Sequence, residues 1–186
     1  SSLSADVQSG VGSLVPDLSL VGSALTDGQP NSVAVSGSFA YVVNANSSTL
    51  RAFDISNPAA PTFAGSVGTA EVPAFVAVSG SFAYVVNYNA NTLQVFNISN
   101  PVAPTLAGSI ATGSQPNSVA VSSSFACVVN ESSNTLQVFN ISNPAVPMLA
   151  GSVATGSLPI SVAVSGSFAY LVNTNSSSML QVFNIS

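Results

Sequence analysis

Few residues in this sequence could begin a chemical reaction. The acids are Asp6, Asp17, Asp27, Asp54, Glu71 and Glu131. The one cation is Arg51, the one thiol is Cys127, and histidine and lysine are absent. A nucleophile needs a base beside it, so the many serines lack their usual activators. They recur at fixed intervals and read as turn formers. A carboxylate pair could cleave a glycosidic bond, or join backbone carbonyls around calcium. Asp27, Glu71 and Glu131 fall in separate loops, so scattered solvated acids are expected, with no metal and no cofactor. A reactive thiolate needs a neighbouring cation, and none stands near Cys127, so it is expected as an inert buried filler.

Asn-x-Ser/Thr sequons offer modification chemistry. Asn46, Asn130 and Asn175 lie between apolar runs and are the expected glycosylation acceptors. Asn97, Asn140 and Asn184 also match, but they end a strand motif and are expected to be partly buried.

Composition removes whole classes of partner. Of 186 residues, 47% are hydrophobic and only 4% charged, with a net charge of −5. One cation cannot neutralise a row of phosphates, which argues against nucleic acid and against anionic membranes. Mean hydropathy is positive, +0.53, yet no apolar run approaches the roughly 18 residues of a spanning helix. No charged leader with an apolar core is visible. Serine and asparagine must keep the surface wet. With one cysteine, no intrachain disulfide can form.

An internal period positions all of these residues. Pro30, Pro73, Pro116 and Pro159 are each 43 residues apart, and Phe39, Phe82, Phe125 and Phe168 keep the same step. So do Gly22, Gly65, Gly108 and Gly151, and one residue is inserted late in the last copy. The repeat covers about residues 16–186, leaving an arm of residues 1–15 outside it. Cys127 then takes the slot of Tyr41, Tyr84 and Tyr170, and Arg51 that of Gln94, Gln137 and Gln181.

Each copy predicts four strands. In the first, these are Ser32–Ser36, Phe39–Asn44, Leu50–Ile55 and Thr62–Val67, with a Ser36-Gly37-Ser38 turn and a proline-broken loop at 56–61. Phe39, Tyr41 and Val43 share one face, but Ala40 and Val42 on the other are also apolar. Sheets apolar on both faces must be covered on both, which stacked blades achieve. The expected fold is therefore all-β: a β-propeller of four-stranded blades from four repeats of about 43 residues. An N-terminal strand, Leu18–Leu25, is expected to close the last blade beside Leu180–Ile185, removing a sheet edge. The alternative is a half-ring completed by a second chain.

The segments Leu50-Arg51-Ala52-Phe53-Asp54-Ile55-Ser56-Asn57-Pro58 and Leu93-Gln94-Val95-Phe96-Asn97-Ile98-Ser99-Asn100-Pro101 resemble the LVIVD repeat. Gln115-Pro116-Asn117-Ser118-Val119-Ala120-Val121-Ser122 and Tyr41-Val42-Val43-Asn44 resemble the related YVTN-type repeat. The resemblance implies a β-propeller, typically secreted or at the cell surface of bacteria and archaea, and no particular activity. Family copies usually keep Asp in the third-strand motif. Only Asp54 does here, with Asn97, Asn140 and Asn184 replacing it, so a hydrogen-bonding role is expected there rather than a charge.

The functional expectation is a non-enzymatic, extracellular or cell-surface structural protein that self-associates into a homo-oligomer or filament. Its weak charge favours association. Val7, Val11, Leu14 and Val15 make the arm apolar enough to add to a neighbouring subunit. The alternative is an adhesion module binding glycans or peptides through the loops Thr112-Gly113-Ser114-Gln115 and Asn87-Tyr88-Asn89-Ala90-Asn91.

Overall fold

A computed structural model describes residues 18–174 and 178–186. The 43-residue period becomes four antiparallel sheets. Sheet one holds β1 (Pro30–Ser36), β2 (Phe39–Asn44), β3 (Thr49–Asp54) and β4 (Thr62–Gly68) in sequence order. Sheet two repeats this with β5 (Pro73–Ser79), β6 (Phe82–Asn87), β7 (Thr92–Asn97) and β8 (Thr105–Ala111). Sheet three follows with β9 (Pro116–Ser122), β10 (Phe125–Asn130), β11 (Thr135–Asn140) and β12 (Met148–Ala154). Sheet four has three strands: β13 (Pro159–Ser165), β14 (Phe168–Asn173) and β15 (Leu180–Asn184).

Why these segments form strands is visible in their pairing. Alternating β-branched and aromatic residues meet across each hairpin, as Val33 meets Val42 and Ala40 meets Phe53. The turn between first and second strands carries positive φ at Gly37, Gly80 and Gly166, and at Ser123 in the third copy. A register shift recurs at the same point of three copies, between Ala52 and Phe53, Val95 and Phe96, and Val138 and Phe139. Such bulges sharpen the twist of a blade.

The core lies between sheets. Tyr41, Val43, Leu50 and Ala52 on one face of sheet one pack against Val76, Ala83, Val85 and Phe96 of sheet two. The equivalent faces meet between sheets two and three and between three and four. Both faces of an interior blade are thus dry, as the two-sided apolar pattern requires. Each inner strand touches the next, β1 to β5, β5 to β9 and β9 to β13. No comparable packing joins β13 to β1.

Among the described residues the ring therefore does not close, and the expected closing strand Leu18–Leu25 is corrected. Residues 18–27 form no strand, and the fourth sheet stops at three. The four blades form an open arc whose two end faces are exposed where the equivalent interior faces are buried. Val33 on the first blade is 61% exposed, whereas its counterpart Val76 is 2%. Leu180 on the last blade is 65% exposed, whereas Leu93 is fully buried. The arm of residues 1–15, with Val7, Val11, Leu14 and Val15, lies outside the described residues.

Candidate functional site

The loops joining second to third strands in the first three blades emerge at one end of the arc, together with the loops joining one blade to the next. Backbone bonds knit the two sets. Thr69 N–H donates to Ser48 O at 2.8 Å, and Tyr88 N–H donates to Val72 O at 2.8 Å. The loop 69–72 thus holds onto the blade it leaves and the blade it enters. The pattern repeats through Thr112 to Asn91 and Glu131 to Gln115, and through Thr155 to Asn134 and Thr174 to Leu158. The loop turns with positive φ at Gln29, Val72, Gln115 and Leu158, each the residue before a period-marking proline.

Beneath the loops sits a polar node that the sequence alone did not disclose. Gln94 Oε1 accepts the Ala70 N–H at 2.8 Å and Asn87 Nδ2 at 3.1 Å. Asn87 Nδ2 also donates to Thr92 Oγ1 at 3.1 Å. The third blade repeats this with Gln137, Gly113, Asn130 and Thr135. The fourth keeps Gln181 Oε1 on the Gly156 N–H at 2.7 Å. Asn44, Asn87, Asn130 and Asn173 are all buried. Their strict 43-residue spacing was the signal that could have marked them as structural.

This node corrects the expectation for Asn130. Its side chain is 0% exposed and its amide nitrogen already donates twice, so it is a core residue and not a loop acceptor. Asn46 lies in an exposed loop position as expected. Asn175 lies outside the described residues. Asn140 and Asn184 are exposed rather than partly buried, and Asn97 is half-buried.

The third-strand motif has one job in every copy. Asp54, Asn97, Asn140 and Asn184 each accept, through Oδ1, the N–H two residues on, at 2.8–2.9 Å. Asn therefore replaces Asp without loss of the turn. The hydroxyl and N–H of Ser56 both hold the Asp54 carboxyl below its ordinary pKa.

Four acids lie among the described residues: Asp27, Asp54, Glu71 and Glu131. Asp27 and Glu71 are exposed and separate. Among the described residues, no cluster of three potential metal ligands exists. Glu131 bonds to a side chain on β9. It accepts Asn117 Nδ2 at 2.7 Å, and the Tyr88 hydroxyl from the neighbouring blade's loop donates to it. Burial raises the Tyr88 pKa, and the Glu131 charge and hydrogen bond raise it further. Cys127 is 1% exposed, and burial pushes its thiol up to about 11, which keeps it protonated and inert. Arg51 lies over the rings of Phe63 and Phe53, its guanidinium carbon 4.4 and 5.7 Å from their centres.

A cleft of about 360 Å³ is lined by Leu136, Val138, Gly151, Phe183, Asn184 and Ile185. Repetition explains it. A Cβ at Gly65 or Gly108 would collide with the backbone of the Pro101–Val102 or Pro144–Ala145 loop of the following blade. At Gly151 nothing approaches within 4 Å. The cleft is the seat that such a loop fills between the other blades, not a pocket shaped for a small molecule.

Comparison with known proteins agrees with the geometry. No curated protein matches the chain in sequence. In three dimensions it is similar to the computationally designed Ika4 protein (TM-score 0.74, 13% identity), over 91% of this chain and 99% of that one. It is similar to hydrazine synthase of Kuenenia stuttgartiensis (TM-score 0.74, 18% identity), over 94% of this chain and 49% of that one. The Swd1 β-propeller domain of Myceliophteria thermophila matches at a TM-score of 0.68 and 10% identity, over 84% of this chain and 51% of that one. The chain thus spans the length of the designed protein and about half the length of the natural ones. At these identities the likeness is one of fold. The LVIVD repeat matches residues 27–69, 74–112, 114–155 and 160–182. The chain belongs to the LVIVD-repeat family and is a four-repeat β-propeller protein.

Proposed function

We propose that this chain is a structural, self-associating β-propeller that works outside the cell or at its surface, and not an enzyme. The observation that carries the reading is the pair of open blade faces. Tyr170, Val172, Leu180 and Val182 on the last blade are 36–65% exposed, although their counterparts Tyr84, Val86, Leu93 and Val95 are 0–4% exposed. Apolar patches of this kind mark association surfaces. The scarcity of charge supports the same reading, since little repulsion opposes contact. Light scattering over a concentration series tests it. Particles heavier than one chain are expected, and a monomer at every concentration counts against it.

A second reading uses the loop face to bind glycans or peptides. The bonded set of Tyr88, Glu131 and Asn117 spans two blades there and offers an aromatic ring beside a carboxylate and an amide. A glycan array tests this reading. Binding that Tyr88→Ala abolishes supports it, and signal at background level removes it.

A further inference from the structure

Residues 18–25 occupy a place that belongs to a blade not otherwise present. A Cβ at Gly22 would collide with the backbone of the Pro58–Ala59 loop of the first blade. That is the relation Gly65 on β4 bears to the Pro101–Val102 loop, and Gly108 on β8 to the Pro144–Ala145 loop. In each interior case, the glycine lies on the outer strand of the preceding blade. Residues 18–25 therefore sit where the outer strand of a preceding blade would run. They have no strand partner, and Leu18, Leu20 and Leu25 are 90, 87 and 93% exposed.

The last blade has the complementary vacancy. Among the described residues, no strand pairs with the outer edge of β15. Its free face is the one that, in the other three blades, packs on the next blade's Val76, Val119 or Val162. The matching face of the first blade leaves Val33 and Val35 each 61% exposed.

We infer that two copies associate head to tail into one ring, and that each lends residues 18–25 to the other as the outer strand of its last blade. This deepens the self-association reading and rests on it. The partner is a second copy because both halves of the joint are on this chain, and the joint is one the chain already makes three times. Two arcs whose ends meet twice close, whereas an unclosed head-to-tail contact would grow. The added strand also masks an exposed sheet edge.

Register follows from the interior blades. Gly65 pairs with Ala52, Gly108 with Val95 and Gly151 with Val138, which places Gly22 opposite the partner copy's position 182. Val67 pairs with Leu50, Ile110 with Leu93 and Val153 with Leu136, which places Ala24 opposite position 180.

The test uses the 186-residue chain with Cys127→Ala, Ala24→Cys and Leu180→Cys, oxidised under dilute conditions. Both new cysteines replace exposed residues, and Cys127→Ala, at a buried position, is run alone as the folding control. A covalent dimer on a non-reducing gel is expected, and mixing the two single-cysteine chains must give a covalent heterodimer. A bridge within one chain overturns the inference, as does a ladder of higher polymers. Dimers seen by scattering but without the bridge overturn the strand exchange and leave self-association standing. Monomers throughout overturn both. As a second variant, Val172→Asp on the open face is expected to halve the particle mass while leaving the far-ultraviolet dichroism unchanged.

Discussion

Gln94 reaches across a blade boundary and takes the backbone N–H of Ala70 at 2.8 Å. The same oxygen binds Asn87 within its own blade. One side chain thereby fixes the loop that enters a blade to the second strand of that blade. The third blade makes the same junction through Gln137, with Gly113 and Asn130.

Gln137→Leu removes the acceptor for two donors, one of them on a fully buried amide. A buried donor left without a partner costs roughly 1 to 3 kcal/mol. Urea unfolding is expected to show a loss of that size. A loss too small to measure would mean that water replaces the side chain.

The first blade lacks this junction, because Arg51 has no acceptor to offer. Its guanidinium lies over Phe63 and Phe53 instead. Arg51→Gln restores the residue of the other three copies and gives the Asp27 N–H a partner. Slower hydrogen exchange at the Asp27 amide is the expected outcome. The stability change should be small, since a lost exposed cation–π contact of about 0.5–1 kcal/mol offsets the new bond.

Ser123 has φ +49° where the other copies place glycine at +55° to +56°. A residue with a Cβ pays about 1 kcal/mol there, part of which glycine's greater freedom in the unfolded chain returns. Ser123→Gly is expected to raise stability by up to about 1 kcal/mol. Gly80→Ala should lower it by about 1 kcal/mol for backbone reasons alone, since a Cβ there meets nothing within 4 Å.

Gly108→Ala and Gly151→Ala are the same change at equivalent positions with opposite surroundings. The first drives a methyl into the Pro144–Ala145 backbone and should cost about 1–3 kcal/mol. The second enters open space and should change stability by less than about 1 kcal/mol. Thermal melts of the two variants, side by side, measure the difference.

Cys127 predicts an alkaline transition. Its folded-state pKa, about 11, lies above the ordinary 9.0. Its contribution is therefore complete below pH 9, where both states are protonated. As pH rises from 9 towards 11 the unfolded state loses the proton and the folded state keeps it, so stability falls. The drop is roughly 2–3 kcal/mol. Cys127→Ala should show a shallower decline between pH 9 and 11 in urea titrations. Burial raises Tyr41 and Tyr84 as well, so a further fall continues above pH 10 in both proteins.

Much of this architecture was legible in the sequence, because strands and turns are local. Alternation in Phe39–Asn44 and the glycine at 37 mark a hairpin without any distant information. The paired apolar faces demanded stacked blades. Curvature was not legible, because the angle between blades depends on how Ala52 and Val43 seat against Phe96 and Val85, and a period of 43 residues carries none of that. Asn130 was misread for a related reason. A sequon is a linear pattern, whereas the fate of its amide was decided by Thr135 and Gln137 on the adjoining strand. Arg51 shows in the sequence only as the residue in the slot of Gln94, Gln137 and Gln181. Its placement over Phe63 follows from a register shift between Ala52 and Phe53 that no spacing rule discloses.

The Gln–Asn–Thr junctions are built wholly from amides, hydroxyls and peptide groups. None of these takes up or releases a proton in ordinary natural waters, and dissolved ions find no paired charges in them to loosen. Fresh water and brine should leave the curvature of the arc alone. The apolar ends respond differently, because strongly hydrated salts drive such surfaces together. Salinity would then govern how arcs meet while leaving each arc unchanged, so the environment could set the degree of assembly without any dedicated sensor.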